Sequence, residues 1–188
     1  MMKKENNVMY ILRLTLTLLA ITSLVAAALA GVNSITEPII SRQLTEKTRQ
    51  AVETVLPGGG EEIVNMNAVG YEDADLVTGV YQGANGYAVQ VAPPGFDNTI
   101  TMMVGIDNDG KVLAIDIISH TETAGLGAVA AAQTPAGQNF RNSFTGVSGS
   151  VATTKDGGAV DAITGATITS RAICRGVNAA LACVAALD

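Results

Sequence analysis

The segment Thr99–Ile118, TITMMVGIDNDGKVLAIDII, decides the fold. Two runs dense in Val, Ile, Leu and Met flank Asp107-Asn108-Asp109-Gly110, and apolar runs on either side of an Asx-Gly turn specify a β-hairpin. Upstream, Leu76–Tyr81 and Tyr87–Val91 flank Gly83-Ala84-Asn85-Gly86 and predict another hairpin. Downstream, Ser150–Thr154 and Ala159–Ile163 flank Lys155-Asp156-Gly157-Gly158 and predict a third. Between them, a polar stretch with Phe140 and Phe144 predicts a short helix. The chain closes on Ile168–Leu187, where Ile173, Val177, Ala180, Leu181 and Val184 form one apolar stripe at helical spacing. Successive hairpins followed by such a helix give an α+β body: an antiparallel β meander with a C-terminal helix packed on it.

Toward the N-terminus the pattern turns helical. Thr36-Glu37-Pro38 reads as a helix start, with Thr36 as N-cap and Pro38 just inside. Ile40, Leu44, Ala51, Val52 and Val55 recur at helical spacing, and Pro57-Gly58-Gly59-Gly60 stops the element. Arg42, Glu46, Lys47, Arg49 and Glu53 occupy the opposite face, so residues 36–60 are expected to form an amphipathic linking helix between a membrane anchor and a domain over 61–188.

The anchor itself is Leu14–Val32, LTLTLLAITSLVAAALAGV, 19 residues without a charge. As a helix it rises roughly 28 Å, close to the hydrocarbon thickness of a bilayer. Apolar helical character continues through Ile35, which sets the expected transmembrane helix at 14–35. Lys3, Lys4 and Arg13 precede the span and no further cation follows until Arg42. This asymmetry puts residues 1–13 in the cytoplasm and the body on the extracytoplasmic side of the cytoplasmic (inner) membrane. A cleaved signal peptide is the rival reading, because Ala28-Leu29-Ala30 before Gly31 has the small residues of a cleavage site; the length of the apolar run favours the anchor. No Cys lies near Gly31, so lipoprotein processing is not an option.

Composition bounds the rest. Hydrophobic residues make up 48% of the chain, aromatics 4%, and mean hydropathy is +0.33, so the core must be built from aliphatic side chains and alanine. Net charge is −6, and because the N-terminal segment is basic the body is more acidic than the total. An acidic body excludes nucleic-acid binding. Cys174 and Cys183 are nine residues apart on one helix, which separates them by roughly 13 Å along the axis, too far for a disulfide. With one His and no C-x-x-C, there are no ligands for a zinc or iron–sulfur site. The two thiols read as small buried hydrophobes.

Chemistry concentrates in Asp161-Ala162-Ile163-Thr164-Gly165-Ala166-Thr167-Ile168-Thr169-Ser170. A strand ends, small residues turn the corner, and a helix begins among hydroxyls. The free N–H groups and positive dipole end of a helix start favour an anion, and Gly165 and Ala166 leave room for a bulky group to reach the backbone. The same hydroxyls also suit a plain N-cap. Here the sequence resembles the FMN-binding domain family. Asp161–Thr167 is similar to its flavinylation motif D-x-x-[S/T]-G-A-T, and Thr169-Ser170 follow that motif in many members. A second signature, H-x-E-T-P-G-L-G, is matched by His120–Gly127, with Ala124 where the family has Pro. The anchor, the Thr36-Glu37-Pro38 segment and Val104-Gly105-Ile106-Asp107 further resemble the G subunits of Rnf-type complexes.

The resemblance implies FMN held by a phosphoester on Thr167, placed there from FAD by a flavin transferase. It implies that Thr121, Glu122, Gly125, Leu126 and Gly127 lie along the flavin ring. Asp161 is either read by the transferase or only holds the turn; Thr164, Gly165 and Ala166 complete the motif, and Thr169 and Ser170 cap the helix. A flavin takes one or two electrons, so such a chain is an electron-carrying subunit of an ion-translocating ferredoxin:NAD oxidoreductase, with the other membrane subunits and the lipid bilayer as partners. The sequence offers no acid–base pair or nicotinamide fingerprint for turnover by the chain alone. The C subunits of sodium-pumping NADH:quinone oxidoreductases share both motifs but are typically longer. A flavin-free sensory or scaffolding ectodomain would treat both motifs as turns.

Overall fold

The computed structural model describes residues 2–63, 71 and 73–187, with the side chains of residues 2–7 and 41 outside that description. Lys3 and Lys4, on which the expected orientation partly rests, therefore lie outside the described side chains. Helix α1 is Met2–Val55, and the chain divides into two compact units, Met1–Thr45 and Glu46–Asp188.

In the first unit, apolar side chains from Val8 to Leu44 are exposed, and the helix is long and apolar enough to cross a membrane. Five hydroxyls bond within the helix: Thr15, Thr17, Thr22, Ser34 and Thr36 each donate to the carbonyl four residues back at 2.8–3.0 Å. The expected helix start at Thr36 is not observed. Thr36 bonds back to Val32 and does not cap forward, and α1 runs through Pro38, whose missing N–H leaves one rung of the ladder unmade. Of the apolar face expected on this segment, Ile40 and Leu44 are exposed, whereas Ala51, Val52 and Val55 are buried.

The second unit is built on a five-stranded antiparallel sheet in simple sequential order: β1 (Glu61–Glu62), β2 (Val77–Gly83), β3 (Gly86–Val91), β4 (Thr101–Asp107) and β5 (Val112–Ser119). Both of the first two expected hairpins are present. Gly83 pairs with Gly86 around the first turn, and β4 pairs with β5 from Thr101↔Ser119 to Ile106↔Val112. Asp107 fixes the second turn by accepting from the N–H groups of Asp109 and Lys111 at 2.9 and 2.8 Å, while Gly110 takes φ +74°.

Alternation along the strands loads both faces. Val89, Val91, Met102, Val104 and Ile106 point into the larger core with α3 (Thr167–Ala185), whereas Ala88, Met103 and Ile118 meet Ala51, Val52, Val55 and Leu56 at the end of α1. Covering both faces explains why Met102–Ile106 is buried without a break. Gly105 makes the helix end fit, since a Cβ there would lie 2.1 Å from the Val55 carbonyl oxygen. Phe140, on α2 (Pro135–Asn142), stacks edge-on against Phe144 and closes the core beside Ile173 and Val177. Cys174 and Cys183 are free and buried, as expected.

The third hairpin does not form. Residues 150–163 are irregular apart from a short 3-10 turn at Thr154–Asp156 and one parallel bridge, Thr153↔Val160. A side chain takes the place of a partner strand: Asn178 of α3 accepts from Val151 N at 2.7 Å and donates to Val151 O at 2.9 Å. The loop then folds on itself, with Val160 N donating to Ala152 O and Thr154 N to Val160 O.

Candidate functional site

The turn into α3 is held by its own hydroxyls. Gly165 adopts φ +76°, and Ala166 N donates to Ile163 O at 2.9 Å. Ser170, fully buried, accepts from Ile163 N and donates to Ala166 O, both at 3.0 Å, so it staples the incoming loop to the first helical turn. The N-cap residue is Ala166, which has no side chain able to cap the helix. The N–H groups of Thr167, Ile168 and Thr169 precede the first helical donor, Ser170 N, which bonds Ala166 O at 3.0 Å, and the positive end of the helix is left open at Thr167.

Well upstream in the chain, the other motif arrives at the same place through Glu122. Its buried carboxylate accepts from Thr169 Oγ1 at 2.5 Å through Oε2, and from Phe96 N at 2.8 Å and Asp97 N at 3.4 Å through Oε1. Three segments thus meet on one side chain. Gly127 and Gly95 make room for it: a Cβ on either would lie 2.3 Å from a Glu122 oxygen. Leu126 completes the contact, its Cδ2 only 3.0 Å from where a Cβ on Gly165 would stand.

A cleft of about 350 Å³ opens over this junction, lined by Phe96, Glu122, Thr123, Leu126, Gly127, Lys155, Gly165, Ala166, Thr167, Ile168 and Thr169. Among these, the motifs pointed to Glu122, Leu126, Gly127, Gly165, Ala166, Thr167 and Thr169. Asp161, Thr164 and Gly125 line a neighbouring cleft beside Phe140, Thr121 is exposed outside both, and Ser170 lies beneath the turn.

Sequence reasoning did not find Lys155, Phe96 or Ile168. Lys155 Nζ donates to Thr167 Oγ1 at 3.1 Å. Its loop is tied down by Asp156, which accepts from Arg171 Nε at 2.8 Å, Arg171 Nη2 at 2.6 Å and Thr153 Oγ1 at 2.7 Å. The Arg171 side chain, helped by Thr153, holds the Asp156 carboxyl down at about 2. Phe96 and Ile168 are exposed on the cleft's rim, two large apolar side chains without protein cover. Phe96 had a legible signal, an aromatic between Pro93-Pro94-Gly95 and Asp97-Asn98 in a chain with three Phe.

This arrangement, an anion-favouring helix start beside a cation and an apolar-walled cleft, defines a cofactor-binding domain, and the FMN-binding domain family matches residues 95–182. Over greater lengths, the chain is 32% identical to the G subunit of the Na(+)-translocating ferredoxin:NAD(+) oxidoreductase complex of Acetobacterium woodii, covering 89% of this chain and 88% of that one. It is 30% identical to the G subunit of the ion-translocating oxidoreductase complex of Methanosarcina acetivorans (95% and 96% covered) and 35% identical to that of Yersinia pestis (81% and 80%). The chain belongs to the family of G subunits of ion-translocating oxidoreductase complexes, as its motifs implied.

The residues present fit FMN. The open N–H groups and Lys155 suit a phosphate, and Phe96, Leu126 and Ile168 offer apolar surface for a ring system.

Proposed function

We propose that this chain is the flavin-carrying, electron-transferring subunit of a membrane-bound, ion-translocating ferredoxin:NAD oxidoreductase of Rnf type, with FMN tied by a phosphoester to Thr167. The observation that carries this reading is the position of the Thr167 hydroxyl. It stands at an uncapped helix start, within reach of Lys155, on the floor of a cleft walled by the second motif. Residues 14–35 anchor the chain as an uncleaved span, and the body faces the extracytoplasmic side. The relatives' names support membership of a multi-subunit complex, and their coverage of nearly the whole chain supports assigning that role to it.

Bound FMN supplies reversible one- and two-electron chemistry. The chain's own residues hold and orient it: the α3 start and Lys155 take the phosphate charge, and Leu126, Ile168 and Phe96 give the ring an apolar face. A covalent tether prevents loss by diffusion outside the cytoplasm and keeps the cofactor at high effective concentration over its cleft. Glu122 keeps the walls together, with both oxygens engaged in hydrogen bonds to them.

The test is Thr167→Val in the intact complex. The expected result is a complex with all its subunits and almost no ferredoxin-dependent NAD reduction, because a missing centre interrupts a series circuit. An assembled, flavin-free complex that keeps most of its activity would remove the electron-carrier reading.

A further inference from the structure

We propose that Lys155 is the catalytic cation of this chain's own flavinylation, acting on the Thr167 oxygen; the inference rests on the reading of Thr167 given above. In that step Thr167 Oγ forms a bond to the flavin-side phosphorus of FAD. The phosphoanhydride bond breaks, AMP leaves with the bridging oxygen, and the hydroxyl proton passes to a base of the flavin transferase. No electron is gained or lost. Negative charge grows on the oxygens around phosphorus as the bond to Oγ forms, and one charge remains on the phosphodiester.

The chain meets that charge with two fixed features. One is the open start of α3; the other is the Lys155 ammonium, 3.1 Å from the attacking oxygen. Lys155 is aimed there by its surroundings. It sits mid-way in the 3-10 turn Thr154–Asp156, between Thr153, whose hydroxyl bonds Asp156, and Gly157 at φ +85°. Asp156 is clamped to α3 by the two bonds from Arg171, one helical turn beyond Thr167. The loop and the helix start therefore form one unit, and the irregular path of residues 150–160 acquires a use: a hairpin would carry Lys155 away at its tip. A preorganised cation at developing charge acts on the rate more than on binding.

The experiment uses the full-length chain in detergent, FAD and a purified flavin transferase at saturating concentration, with covalent flavin and released AMP followed in a single turnover. Wild type, Lys155→Met, Lys155→Gln and Lys155→Arg are compared, with thermal melts of the unflavinylated proteins as the fold control. Both neutral variants are expected to melt with wild type, since Lys155 is exposed, and to react about 100-fold more slowly at saturation. Lys155→Arg is expected to recover most of the rate. Neutral variants within twofold of wild type at saturating transferase would overturn the assignment. So would an Arg variant as slow as Met. A wild type that acquires AMP-coupled flavin at no residue, or at one other than Thr167, removes the reading of the site and this inference with it.

Discussion

Glu122→Ala is expected to be the most damaging single truncation at the site. Two bonds to the carboxylate are at full strength, 2.8 Å from Phe96 N and 2.5 Å from Thr169 Oγ1, and a third from Asp97 N is stretched to 3.4 Å. Hydrogen bonds to a charged group contribute about 1.5–3 kcal/mol each, so losing the two short ones costs about 3–6 kcal/mol. That is a large share of a domain stability of about 5–15 kcal/mol. Glu122→Gln keeps the shape. Its amide oxygen can still accept from Phe96 N, and its NH2 can donate to a reoriented Thr169 hydroxyl, so only charge assistance is lost, at about 1–2 kcal/mol. Guanidinium unfolding of the full-length protein in detergent, followed by far-ultraviolet circular dichroism, measures both. An Ala variant within about 1 kcal/mol of wild type, or a Gln variant as costly as Ala, would refute the view that this carboxylate joins three segments.

The Asp156 carboxyl sits at about 2 in the folded chain against 3.8 ordinarily, so its stabilising effect is full above about pH 4 and disappears as pH falls toward 2. The melting difference between wild type and Asp156→Asn should therefore shrink over that window; a difference that stays constant to pH 2 would contradict the Arg171 clamp. Burial, with a smaller effect of the Asp156 charge, pushes the Cys174 thiol up to about 11, and burial raises Cys183 as well. Neither should be alkylated by iodoacetamide at about pH 8 until denaturant is added, which peptide mass spectrometry reads directly. The charge asymmetry around residues 14–32 predicts an intact N-terminus and an active phosphatase reporter fused after Asp188; a mature N-terminus at Gly31 would show cleavage.

What the sequence carried was local. The turn Asp107–Gly110 and the stripe Ile173–Val184 specify their elements through neighbours a few residues away, and both stand as expected. What it hid depended on distant partners. Asn178, on α3, satisfies the backbone of Val151 and turns an apparent strand into a loop, and nothing within residues 150–163 announces this. Glu122 reads as a residue facing the ring, yet its oxygens are directed at Phe96 N and Thr169 Oγ1 because Gly95 and Gly127 open a slot for them. Lys155 reads as an ordinary turn lysine until Arg171 and Asp156 draw its loop onto the helix start. At Thr36-Glu37-Pro38 the local signal was outweighed: a hydroxyl that bonds back to Val32 serves an uninterrupted helix as well as a forward cap serves a new one.

The covalent assignment is tested most directly by the mass of one tryptic peptide. Cleavage after Lys155 and Arg171 releases residues 156–171, which hold Thr164, Thr167, Thr169 and Ser170 together. Protein purified from cells that express a flavin transferase should yield this peptide heavier by one FMN less one water, with fragmentation placing the addition on Thr167. An unmodified peptide from such cells, or an addition placed on any of the other three hydroxyls, would contradict the account.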